Sequence, residues 1–178
     1  MQQSVKSDIV SLKGSGFQTW VLVILRILIG WHFFYEGLAK LMNPYWTSAG
    51  YLAESHWWFS GIFVGLASNS TTLAIVDVIN SWGLLLIGLG LMLGLFTRTA
   101  TIAAIVLLFL YYISAPPFPG YAYSIPSEGS YLIVNKVLLE LCATFVLLAF
   151  PTGKSHGLDG LMPWKKAPAY QSLKQANA

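Results

Sequence analysis

The chain has 178 residues, 56% of them hydrophobic and only 10% charged, with a mean hydropathy of +0.63. Soluble domains carry about 25% charged residues, so this composition excludes an ordinary water-soluble fold and points to a bilayer. The net charge of +3 is small and mostly terminal, which fits membrane orientation and speaks against a nucleic-acid partner.

The N-terminal segment, residues 1–18, carries Lys6 and Lys13. The apolar run after it is longer than a signal-peptide core of about 7–15 residues, and no small-x-small cleavage site follows. It is therefore expected to be retained as a first span over residues 19–41, ended by Asn43-Pro44. A second span is expected over 73–96. A third, over 100–113, is short unless it starts before Thr99, and "APPFPG" stops it. A fourth runs over 131–150 and is stopped by "PTG". The expected fold is thus an all-α membrane protein: a four-transmembrane-helix bundle over 19–150, with a tail over 151–178.

Lysines and arginines in the connections set the orientation. Lys6, Lys13, Arg98, Lys154, Lys165, Lys166 and Lys174 lie on one side. Both termini are therefore expected in the cytoplasm, in a multi-pass protein of a bacterial-type inner membrane. The two long loops then face outward. The first contains "YLAESHWWFSGIFVGL", too short and polar to span but aromatic enough to lie in the interface. The third connection, "APPFPGYAYSIPSEGS", is rich in proline and tyrosine. Both loops are read either as caps on the bundle or as interfacial anchors. Trp164 with Lys165 and Lys166 reads as a cytoplasmic interfacial anchor, and the last residues, "QSLKQANA", as a frayed end. Gly90 and Gly94, four apart in the second span, suit close helix packing.

The first span holds four ionisable groups. At about 100° of turn per residue, His32, Glu36 and Lys40 fall about 240°, 280° and 320° around from Arg26, an arc of about 120°. One face of this helix is polar and should turn into the bundle. Depth sorts the groups further. Lys40, Glu36 and His32 descend from the outer end, with Arg26 in the inner half. Asp77 and Asn80 lie near the outer end of the second span, Tyr111 and Tyr112 near that of the third. Asn135 and Lys136 open the fourth, with Glu140 one turn below. An unpaired charge at mid-helix costs about 2.5–3.5 kcal/mol on insertion scales, so pairing or function must account for these groups. Lys40, Asp77 and Lys136 also fit plain interfacial pairing. Glu36 and Glu140, deeper, mark a site, and His32 serves either a site or a hydrogen-bonded core.

"LRILIGWHFFYEGLAKL", "LLIGLGLMLGLFTRTATIAAI", "YLIVNKVLLELCATFVLLA" and "GKSHGLDGL", in that order, resemble the DoxX/DoxD family of small four-helix membrane proteins. The longer first loop with "NPYW" leans toward the DoxD branch. That resemblance implies a membrane subunit of thiosulfate:quinone oxidoreductase in the DoxD case, and a membrane partner of redox and sulfur-handling proteins more widely. The polar residues that match by position are Arg26, Lys40, Arg98, Asn135 and Lys136. His32, Glu36 and Glu140 come from helical geometry alone.

Three functions follow as expectations. The first is a quinone-linked oxidoreductase subunit. Glu36, Glu140 and His32 are its candidate catalytic groups. Arg26, Lys40, Asp77, Asn80, Tyr111, Tyr112, Asn135 and Lys136 are its candidate quinone-binding groups. The quinone is a substrate; no haem, iron–sulfur, nucleotide or metal site is evident. Cys142 is the only cysteine, and His32 is the only histidine within a span, leaving a haem without a second axial histidine. Electrons then pass directly from substrate or from a redox partner protein. The second is a non-enzymatic scaffold for a partner protein or a homo-oligomer. The third is a small-solute transporter, weakened by the absence of a broken-helix pair in repeated halves.

Overall fold

The computed structural model describes residues 16–121, 123 and 131–161. Helix α1 spans Gly16–Met42, followed by two short helices, α2 (Ala49–Ala53) and α3 (Ser60–Ser68). Helices α4 (Ser70–Leu93) and α5 (Thr97–Ser114) form a hairpin. Helix α6 spans Lys136–Ala149, and a short α7 (Gly153–His156) leads into a 3-10 turn at Leu158–Gly160. Among the described residues there is no strand, only an isolated bridge between Tyr131 and Val134. The basic residues Lys6 and Lys13, the anchor at Trp164, Lys165 and Lys166, and the expected frayed end all lie outside the described residues.

Three helices, α1, α4 and α5, are long and apolar enough to cross a membrane. At a rise of about 1.5 Å per residue, their 27, 24 and 18 residues reach about 40, 36 and 27 Å. Helix α5 starts at Thr97, ahead of the expected Ala100, which gives it the length to span. The α6 helix is shorter than the expected 131–150. Its 14 residues reach about 21 Å, against a hydrocarbon core of about 30 Å. The cause is local. Tyr131–Val134 closes a tight turn with Leu132 at φ +60°, and the Asn135 side chain accepts from the Leu138 amide at 2.9 Å, fixing the helix start.

Helix α4 also sits three residues earlier than expected. The Asn69 side chain caps it by accepting from the amides of Thr71 and Thr72. Gly94, at φ +66°, ends it, with the Leu95 amide reaching back to the Gly90 carbonyl at 2.9 Å. This is a glycine stop in which the left-handed residue satisfies orphan carbonyls. Gly94 therefore terminates a helix and does not extend a packing motif with Gly90.

The close helix contact lies elsewhere. Gly30 and Gly37 of α1 face Gly88 and the neighbouring backbone of α4. A Cβ on Gly37 would come within 2.5 Å of the Leu85 amide nitrogen; one on Gly88 would collide with the backbone of Phe34 and Gly30. These two helices make the most extensive contact in the molecule, while α6 packs on α5 and only sparsely on α1. Ile29, Phe33, Leu84, Leu91, Ala104, Leu108, Leu141 and Leu147 belong to one apolar core shared by the four long helices.

Gly88→Leu should abolish the α1–α4 contact, because backbone, not a mobile side chain, fills the space. Overpacking of a tight core costs about 1–3 kcal/mol, and more when backbone must move. Gly83→Ala, with open space at its Cβ, should be neutral or stabilise by up to about 1 kcal/mol. Thermal melting in detergent, followed by circular dichroism, checks both.

Candidate functional site

The glycine contact fixes how α1 is rotated. Arg26 and Phe33 turn inward, Ile24, Leu28, Trp31 and Tyr35 turn out to lipid, and His32 and Glu36 fall on the flank that faces α6. There a cavity of about 200 Å³ opens, lined by His32, Phe33, Glu36 and Lys40 of α1, Leu84 of α4, Leu108 and Tyr111 of α5, and Lys136, Val137 and Glu140 of α6. A second, shallow groove along α4, from Ser70 to Ile79, has no ionisable group in its lining.

His32 Nδ1 lies 2.7 Å from Glu140 Oε1, joining α1 to α6 at the cavity. A contact of that length between an imidazole nitrogen and a carboxyl oxygen is a hydrogen bond. Glu140 is largely covered, with 12% of its side chain exposed, against 36% for His32. The Lys136 ammonium, one turn away on α6, also lines the cavity and makes no hydrogen bond or ion pair among the described residues.

Lys40 closes the loop end. Its ammonium lies 3.7 Å from Glu36 Oε2 and 3.4 Å from Asn80 Oδ1, and sits over the rings of Trp46 (5.1 Å) and Tyr111 (5.7 Å). The Tyr111 hydroxyl donates to the same Asn80 oxygen at 2.8 Å. Asn80 thus gathers two donors from α1 and α5 without lining the cavity itself. Above them lies the segment after α1. The Tyr51 hydroxyl donates to the Tyr111 carbonyl at 2.8 Å, and their rings meet edge to face. Burial, with Tyr111 and Tyr123 adding to it, pushes the Tyr51 phenol up, so it remains a neutral donor. The Ser48 amide donates to Asp77 Oδ1 at 2.8 Å, and the Ser48 hydroxyl makes a short contact to the same oxygen.

Several groups chosen from sequence are therefore occupied elsewhere. Asp77 holds Ser48 and does not line the cavity. Asn135 caps α6. Tyr112 donates to the Ile133 carbonyl at 2.8 Å. Arg98 is exposed in the first turn of α5. Glu36 does line the cavity, but 49% of its side chain is exposed, so it stands at the rim and not in the interior.

Arg26 lies at the opposite, tail end, only 2% exposed. Its Nη1 donates to Thr152 Oγ1 at 3.0 Å and its Nη2 to the His156 carbonyl at 2.9 Å. The segment from Thr152 to Leu161 folds back under the bundle to supply these acceptors. Asp159 completes the junction. Its two carboxylate oxygens accept the amides of Phe96 and Thr97, each at 2.9 Å, and its own amide donates to the Gly94 carbonyl. A carboxylate from the tail thus caps α5, and it holds Phe96 at φ +48°, a left-handed conformation costing about 1–2 kcal/mol for a non-glycine residue. Sequence reasoning missed Asp159 and Thr152; the "LDG" turn was the only signal, and nothing local ties it to Arg26.

A model of the DoxX family matches residues 21–116, more than half of the chain. The chain belongs to the DoxX family. No curated protein and no solved structure matches it. The DoxX match takes in α1 to α5 and thus His32, Glu36, Lys40 and Tyr111. Lys136, Glu140 and the Arg26 acceptors lie beyond it. In this DoxX membrane protein the cavity and the tail junction both need residues from outside the matched segment.

Replacing Asp159 with alanine should destabilise the protein by about 1–2 kcal/mol through loss of the cap on α5. The loss should show in thermal melts. The packing of the loop end around His32 should be unaffected at temperatures well below the transition.

Proposed function

We propose that this protein is the membrane subunit of a quinone-linked redox system, of the DoxD type, in a bacterial inner membrane. The supporting observation is the ionisable cavity between α1 and α6, built around the His32–Glu140 contact. In this reading both termini face the cytoplasm, α6 serves as a fourth, short span, and the cavity lies in the outer half. A quinone headgroup needs donors at its carbonyls, an apolar surround and protons delivered with electrons. Lys136 is a donor with no other partner among the described residues, and the Tyr111 end offers a second polar wall. Phe33, Leu84, Leu108 and Val137 give the ring an apolar bed. The His32–Glu140 pair supplies a proton on reduction or accepts one on oxidation. The half-exposed Glu36 connects that pair to the surface. Electrons come from a small reductant bound beside the quinone or from a redox partner protein. Arg26, Asp77, Tyr112 and Asn135 have structural duties in this scheme.

The second reading is a scaffold for a partner protein or for assembly into a homo-oligomer. It draws on the aromatic loop surface, where Trp58 is 87% exposed and stacks on Trp57.

Solvent extraction of the purified protein should yield a quinone, and His32→Ala should deplete it. Glu140→Gln should lower quinone turnover in the assembled system by about 100-fold or more, the scale of a lost general acid–base group. Intact turnover in both variants would leave the scaffold as the better account.

A further inference from the structure

We infer that the cavity is loaded sideways from the bilayer, through the gap between α1 and α6, by an amphiphile whose apolar tail stays in lipid. This rests on the quinone reading and adds the route and the form of the ligand. Three features carry it.

The first is the packing. α1 leans on α4, and α6 leans on α5, so the cavity has continuous walls on those sides. Between α1 and α6 contact is sparse, and among the described residues the polar link across the gap is the His32–Glu140 contact. The second is the exposure pattern on α1. Glu36 is exposed and His32 partly so, beside the lipid-facing stripe, and Lys136 on α6 is a further exposed group of the polar lining. Leu28 on α1 and Leu139 on α6, both exposed, give that opening apolar flanks. The third is that the loop end is closed. Tyr51 is bonded to Tyr111, Ser48 to Asp77, and Trp46 lies over Lys40, so the segment after α1 is tied down across the top of the cavity at three points. Among the described residues, a ligand arriving from the loop end meets these ties, whereas one arriving from lipid meets the side opening. Its headgroup would pass Glu36 and stop against His32–Glu140, leaving the tail between Leu28 and Leu139.

The test uses two azido-quinone photoprobes, one with a long isoprenoid tail and one with a methyl group in its place, on the full chain in proteoliposomes. In a Cys142→Ser background, Leu28→Cys and Leu139→Cys place thiols on the two flanks of the opening, outside the cavity lining, to be joined by a short bifunctional maleimide. Joining should cut labelling by the long-tailed probe about tenfold and leave the tail-less probe within about twofold of the unjoined protein, since a small ring passes where a tail cannot remain. Leu139→Trp adds bulk at the α6 flank of the opening without altering the cavity lining, and should slow only the long-tailed probe. Equal labelling by both probes in the joined protein, together with no effect of Leu139→Trp, overturns the side entry while the quinone reading stands. No labelling of the unmodified protein by either probe overturns both.

Discussion

Backbone contact between α1 and α4 is the constraint from which the rest follows. Gly30, Gly37 and Gly88 have no side chain to hold the helices apart, and no other residue fits where they meet. That fixes the rotation of α1 about its own axis. With this face pinned to α4, the 3.6-residue period leaves little freedom to the rest. His32 and Glu36 must face α6, Arg26 must turn inward at the tail end, and Trp31 and Tyr35 must look out to lipid. In a bilayer, where apolar burial between helices gives little drive, such small-residue contacts are the usual means of association.

The two ends of the bundle treat charge in different ways. At the tail end, Arg26 donates to two neutral acceptors with the Asp159 charge acting on it, while Asp159 accepts backbone amides. Each ion is met by hydrogen bonds, and the outcome is a fixed joint. At the loop end the groups are partly open, one carboxyl is hydrogen-bonded to an imidazole, and one ammonium has no partner among the described residues. Buried pairs of this kind rarely stabilise a fold more than apolar residues would. Retaining them around a cavity is what a ligand site requires, and a joint does not.

The polar arc of α1 was legible from sequence because it depends only on the helical period. The meeting of His32 with Glu140 required the rotation of two helices 108 residues apart in the chain, which no periodicity carries. Depth alone suggested a shared role for Asp77, Asn135 and Tyr112, but nearby backbone groups took each of them. Arg26 was visible as an anomaly, yet its acceptors lie 126 and 130 positions away in a turn with no helical pattern. Hydropathy also overran the start of α6. An apolar count cannot register that Leu132 adopts a reversed φ, or that Asn135 prefers to cap. The glycine pattern was partial: Gly90 packs closely on Ala100 of α5 and Gly94 on Gly157, not on α1. Gly90 and Gly94 have the familiar spacing, but the contact uses Gly30 and Gly37, seven apart, against a single glycine opposite.

The joint at Arg26 bears on biogenesis. Synthesis runs from the N-terminus, so α1 enters the translocation machinery long before Thr152, His156 and Asp159 exist. Until the last segment emerges, a guanidinium waits in an apolar helix and the turn into α5 lacks the carboxylate that steadies it. Maturation is therefore completed from the C-terminal side, and a ribosome that stalls after α6 releases a chain whose earliest helix is still unfinished.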